Sequence, residues 1–314
     1  MLGKTAGGLY WMFRFLERSE NTARLLEAGF RMALTRSTEG GTSEWESGVT
    51  TSGTGDIYAS KYDDYNDTQV MHFLLCDMDN PSSVLSVTKA ARDNARMVRT
   101  ALTTEVWEAV NDNWMTLREM LSAPITQVEL PTTLAIIRQK SALVRGALYG
   151  TMLRNDIYDF ARLGTFLERA DNTARIINVK YYTLLPSASF VGSSLDNVQW
   201  EMILRSVSAH RSFRWLDESD MSATAVADFL IFDRRLPRSL AFCVKQSREN
   251  LHYLENEYGT RHACHDIADR LHKRFDSQSI SSVFDFGLHD FINEFITDNN
   301  ALGAQIERDY RFNG

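Results

Sequence analysis

The chain has little of what fixes small extracellular or metal-held folds. Three cysteines, Cys76, Cys243 and Cys264, among 314 residues are an odd number for a disulfide framework, so they are read as reduced thiols. Only five prolines and 17 glycines interrupt it, which leaves long stretches free to be helical. No Gly-rich phosphate loop is present. Gly7-Gly8 and Gly40-Gly41 lack the spaced glycines or the Lys-Ser/Thr pair that a phosphate cradle needs, and Gly3-Lys4-Thr5 has no strand before it. A Gly-x-Ser-x-Gly nucleophile elbow is also missing. Positive charge is in deficit: the net charge of −7 argues against nucleic acid as a partner, because phosphate-backbone binding needs a surplus of Lys and Arg. The first residues run straight into charged Arg14 and Glu17, with no apolar run for a secretory signal or a membrane span. A cytoplasmic protein is expected.

What is present is a duplication. Phe15 to Arg24 reads Phe-Leu-Glu-Arg-Ser-Glu-Asn-Thr-Ala-Arg, and Phe166 to Arg175 reads Phe-Leu-Glu-Arg-Ala-Asp-Asn-Thr-Ala-Arg. Only Ser19/Ala170 and Glu20/Asp171 differ, and the second exchange keeps a carboxylate. The repeat divides the chain into halves of approximately 1–150 and 151–314 within a single helical domain. One departure is visible: Gly164-Thr165 stands where the first copy has Phe13-Arg14.

On a helix, Glu17, Asn21 and Arg24 are spaced i, i+4, i+7 and form one stripe of side chains, repeated by Glu168, Asn172 and Arg175. Apolar residues from Leu9 to Phe30 project in nearly every direction around the first copy, the pattern of a helix enclosed by others. Charges there must be paired or hold an ion, since an unpaired buried charge costs several kcal/mol. Packed across a pseudo-two-fold axis, Glu17 would face Arg169 or Arg175, and Glu168 would face Arg18 or Arg24. The stripe is then either an ion network that sets the register of two central helices or a cleft whose Arg18, Asn21, Arg24, Arg169, Asn172 and Arg175 hold an anion or substrate, with Glu17 and Glu168 as acid/base groups.

The remaining elements are expected to be helices near Ala6 to Arg36, Asn80 to Leu102 (Asn80 as N-cap, Pro81 first), Glu105 to Leu121, Thr132 to Arg154 and Asp156 to Leu185. Others follow near Asp196 to Leu216, Ala223 to Phe232, Arg238 to Tyr258 and His262 to Thr297. Gly40 to Ser60, rich in Gly, Ser and Thr, reads as the least ordered stretch. With 44% hydrophobic residues the chain can bury a large core, and no segment alternates as a strand would. The fold class is all-α, an internally duplicated bundle of two pseudo-symmetric halves. Arg234, Arg235 and Arg238 around Pro237 form a local basic cluster, read as solvated arginines at a helix start or as an anion site that includes Arg238. His262, Cys264, His265 and Asp266 offer metal-capable groups, but without a second cluster at zinc-finger spacing a surface face is the simpler reading, and neither metal nor cofactor is expected.

The opening Leu9-Tyr10-Trp11, the duplicated Leu-Glu-Arg-x-[Glu/Asp]-Asn-Thr-Ala-Arg, Asn80-Pro81-Ser82-Ser83 leading into Ala91-Arg92-Asp93-Asn94-Ala95-Arg96, the tract Trp107 to Asn111 and Leu236-Pro237-Arg238-Ser239 together resemble the bacterial Alpha-E family. That resemblance implies an all-helical domain with a Glu-Arg motif, found beside or fused to circularly permuted ATP-grasp proteins. It implies a role in ATP-dependent amide- or peptide-bond formation, and, as the chain has no nucleotide loop, the leading expectation is a helical accessory or scaffold subunit that partners an ATP-grasp protein and positions a peptide or amino-acid substrate. The alternative is an enzyme acting on a peptide or amide through Glu17 and Glu168. A third reading, a structural homo-oligomer, needs no external ligand.

Overall fold

The computed structural model describes residues 1–35, 44–182, 194–216 and 221–312. Among them there are fifteen α-helices and no strands. In chain order these are α1 (Gly3–Thr35), α2 (Glu44–Ser52), α3 (Gly55–Ala59), α4 (Asp67–Leu75), α5 (Val84–Met97), α6 (Thr104–Met120), α7 (Leu130–Thr151) and α8 (Asp156–Tyr182). After them come α9 (Ser194–Ser206), α10 (His210–Arg214), α11 (Ala223–Phe232), α12 (Leu240–Tyr258), α13 (Ala263–Ser277), α14 (Ile280–Phe286) and α15 (Leu288–Asp309). The all-α fold class therefore holds.

Local chemistry explains the boundaries that differ from expectation. Asn80 is not the N-cap of α5: Ser83 is, accepting from the Ser86 N–H, while the Asn80 side chain donates to the Phe73 carbonyl and accepts from the Ser82 N–H. Pro81 thus sits in a turn, and α5 ends at Met97 before a 3₁₀ turn at Arg99–Ala101. Likewise α12 starts after Arg238, with Ser239 as N-cap, and ends at Gly259, whose φ of +62° suits a glycine C-cap. The long helix expected from His262 is three helices, because Ser279 opens α14 with a capping box and Gly287, at φ +110°, turns the chain into α15. The helix expected to reach Leu216 breaks at Ser208, at φ +55°. The stretch around Gly40 to Ser60 holds α2 and α3, which bury Val49 and Tyr58; its residues 40–43, like the expected helix ends at Arg36 and Leu185, lie outside the described residues. Helix α4 follows from an N-cap at Asn66 that the composition of that stretch did not announce.

Helices α1 and α8, the two that carry the repeat, pack against each other at the centre. Around α1 lie α5, α7, α2 and α9, and around α8 lie α12, α15, α2 and α9. One apolar core runs from Ala6 to Phe312 and takes in Leu9, Tyr10, Phe160 and Phe166, while a second gathers Tyr58, Phe73, Leu117 and Leu134 beside the first half of the chain. Gly164 explains why the two copies differ just before the motif. A Cβ there would stand 2.1 Å from the Tyr10 carbonyl oxygen, so only glycine lets the α8 backbone come this close to α1.

This contact makes a signed prediction. In a free helix interior Gly→Ala stabilises by about 0.5–1 kcal/mol, and Gly146→Ala, with nothing within 4 Å of the new Cβ, should do so. Gly164→Ala should instead cost about 3 kcal/mol, because backbone must move to admit the methyl. Urea melts on the two variants check both signs.

Candidate functional site

Helical spacing puts Glu17 on α1 and Glu168 on α8 inside the molecule, both nearly inaccessible. Each receives an arginine fork from the opposite helix. Arg169 donates through Nε and Nη2 to the two oxygens of Glu17, both at 2.9 Å. Arg18 donates through Nε and Nη2 to those of Glu168, at 2.5 and 3.0 Å. Of the pairings open to the sequence, the structure selects Glu17 with Arg169 and Glu168 with Arg18. Arg24 and Arg175 turn back along their own helices, Arg24 Nε to Glu20 at 3.1 Å and Arg175 Nε to Asp171 at 2.7 Å.

A second arginine completes each glutamate, and the two come from different places. Glu168 takes Arg14 Nε at 2.9 Å, from one turn earlier on α1. Glu17 takes Arg238, whose Nη1 donates to Glu17 at 2.9 Å and to the Asn21 oxygen at 3.1 Å, while its Nη2 donates to Glu20 at 2.8 Å. Arg145 of α7 adds a contact to Glu20 at 2.6 Å. Arg238 is buried in this network, so it is spent on carboxylates rather than offered at the surface; Arg234 and Arg235 pair with Asp276 and Asp233. The Asn21 amide nitrogen is buried without a hydrogen-bond partner, and so is that of Asn172.

Burial by itself would raise the Glu168 carboxyl, but Arg18 and Arg14 outweigh it and hold the group down at about 2. The same contest ends the same way at Glu17, where Arg169 and Arg238 hold the carboxyl well below its ordinary range, and at Glu20, where Arg238 does so. All three are ionised at neutral pH. Beside them a half-open cavity of about 220 Å³ lies between α1, α8, the end of α2 and the turn before α5, lined by Arg18, Ser82, Glu168, Asp171, Asn172 and Arg175.

Sequence reading missed Arg14, Glu20 and Arg145 as members of the network. Glu20 was marked by the carboxylate kept at Asp171; nothing local marks Arg145. It also missed Asp159 and Arg162, which line a larger cleft of about 520 Å³ between α8 and α12. Burial, with Asp156 and Glu257 nearby, pushes the Asp159 carboxyl up to about 7. Arg162 donates to Gln246 at 3.2 Å and lies 4.1 Å from the Phe166 ring centre. The His262 to Asp266 segment caps α13: the His262 N–H donates to His265 Nδ1, and His265 Nε2 bonds the Leu251 carbonyl. Among the described residues no group of three His, Cys, Asp or Glu side chains could hold a metal ion, and no helix is long and apolar enough to cross a membrane.

Comparison with known proteins agrees with the motif. The family model for Alpha-E, a predicted alpha-helical domain with a conserved ER motif, matches residues 1–310. No curated protein and no solved structure matches the chain.

The network has measurable consequences. Glu17→Gln or Glu168→Gln should each cost about 2–4 kcal/mol in urea melts, since removing one side of a buried pair strands its arginines. Acid should act the same way. A carboxylate whose folded-state value is depressed contributes stability that is complete above its unfolded value of 4.5 and is lost as pH falls towards about 2. Glu168 alone should account for about 3 kcal/mol of that loss, so denaturant midpoints measured from about pH 6 down to about pH 2 should drop steeply below about pH 5 in the wild type and less steeply in Glu168→Gln.

Proposed function

We propose that this chain, which belongs to the Alpha-E family, is a helical accessory subunit that partners an ATP-grasp-type amide- or peptide-bond-forming enzyme and binds a peptide or amino-acid substrate beside its duplicated Glu-Arg stripe. The observation that carries this reading is the state of the stripe: its carboxylates are each held ionised by two or more arginines, next to a cavity that is still open. A general acid or base works best with a pKa near the operating pH, and the arginines drive Glu17 and Glu168 the opposite way. The acid/base reading of Glu17 and Glu168 therefore has less support than binding. The partnership itself rests on the family resemblance and on the lack of a phosphate loop in the sequence.

The reading includes the duplication. Several local features support two related halves besides the repeat itself: α5 and α12 both follow a Pro-x-Ser turn in which the serine is the N-cap, and left-handed residues, Gly53 and Ser208, separate α2 from α3 and α9 from α10.

Calorimetric titration of the isolated protein with Mg-ATP is expected to show no heat, and the protein is expected to co-purify with an ATP-grasp protein expressed beside it. Micromolar affinity for ATP by the chain alone overturns the accessory role.

A further inference from the structure

The two glutamates sit in matching surroundings with one member exchanged. Around Glu17 stand Glu20, Asn21 and the Pro237-Arg238-Ser239 turn; around Glu168 stand Asp171, Asn172 and the Pro81-Ser82-Ser83 turn. Arg24 donates to Ser208 at the left-handed turn on the first side. On the second, the Arg175 guanidinium lies over Gly53, 3.0 Å from where a Cβ would stand. The charges also match. Glu17 and Glu20 are served by Arg24, Arg145 and Arg169 before Arg238 is counted, and Glu168 and Asp171 by Arg14, Arg18 and Arg175. Two carboxylates and three arginines make each environment, and the first of them holds a fourth guanidinium, that of Arg238. In the second, serine stands in the corresponding place, too short to reach, and the space is the 220 Å³ cavity. Asn172 lines it without the guanidinium that donates to the Asn21 oxygen on the first side.

We propose that this cavity is the vacant counterpart of the Arg238 slot and takes the guanidinium of an arginine side chain presented by a peptide segment from outside the chain. Arg238 shows the fit: one guanidinium nitrogen reaches the glutamate and the asparagine oxygen while the other reaches the carboxylate three residues on. A planar fork spans that arrangement and an ammonium does not, so arginine is preferred to lysine. The inference rests on the duplication described above and names the substrate chemistry of the same stripe.

The test titrates the full chain with N-acetyl-L-arginine methylamide, its lysine and citrulline counterparts, free L-arginine and inorganic phosphate. The blocked arginine should bind, with the lysine and citrulline compounds at least about tenfold weaker and free arginine no tighter. Ser82→Arg, which supplies the missing guanidinium from within, should abolish binding and raise the melting temperature. Asp171→Asn, which leaves the cavity open, should weaken binding about tenfold. No binding of the blocked arginine, binding that survives both substitutions, or phosphate as the sole ligand overturns the inference, and free arginine binding tenfold tighter than the blocked form overturns the peptide source. Association with an ATP-grasp protein is a separate readout: its loss in a protein that still binds arginine sinks the partnership and leaves the slot standing.

Discussion

Two arginine forks exchanged between α1 and α8 govern this molecule. Arg169 reaches back to Glu17 and Arg18 reaches across to Glu168, each bidentate and each in the interior. Forming such a pair from water gains little, because desolvation nearly cancels the Coulombic attraction, whereas breaking one side leaves an uncompensated buried charge and is strongly destabilising. The pairs therefore act on register more than on net stability. A rotation or a slide of either helix by one residue would leave two glutamates and at least two arginines buried without partners. The close approach at Gly164, where the α8 backbone meets the Tyr10 carbonyl, restrains the same two helices sterically.

The exchange of partners at the second arginine of each glutamate shows how an internally repeated pair can be satisfied unequally. Thr165 occupies the place of Arg14 in the second copy and cannot serve Glu17; Arg238 does so from the turn before α12. Glu168 has Arg14, and the turn before α5 carries Ser82 instead of an arginine. Glu17 and Glu20 together meet Arg24, Arg145, Arg169 and Arg238, whereas Glu168 and Asp171 meet Arg14, Arg18 and Arg175 and have an open cavity beside them. A cavity next to carboxylates held ionised by arginines is suited to binding a ligand rather than to moving protons.

Much of this could be read from the residues in order. Helices α6 and α11 fall within one residue of their expected bounds and α7 within three, since apolar period and prolines or caps mark them locally. The interior position of the stripe followed from apolar residues on all sides of it. Less legible were elements whose signals are single hydrogen bonds: Asn80 is as good an N-cap by type as Ser83, and which of them caps α5 depends on Asn80 being drawn to the Phe73 carbonyl of α4. Asp159 and Arg162 look like ordinary helical charges until α12 covers them.

The sequence by itself determined that the protein is helical, that a Glu-Arg stripe is repeated, and that these charges need partners, because period, spacing and desolvation cost are properties of local chain and residue type. Only the tertiary structure decided which arginine meets which glutamate, that Arg238 turns inward instead of facing solvent, and on which side a cavity remains. Those depend on contacts between residues up to 221 positions apart, whose directions are set by how α1, α8 and α12 pack and leave no mark in the neighbouring sequence.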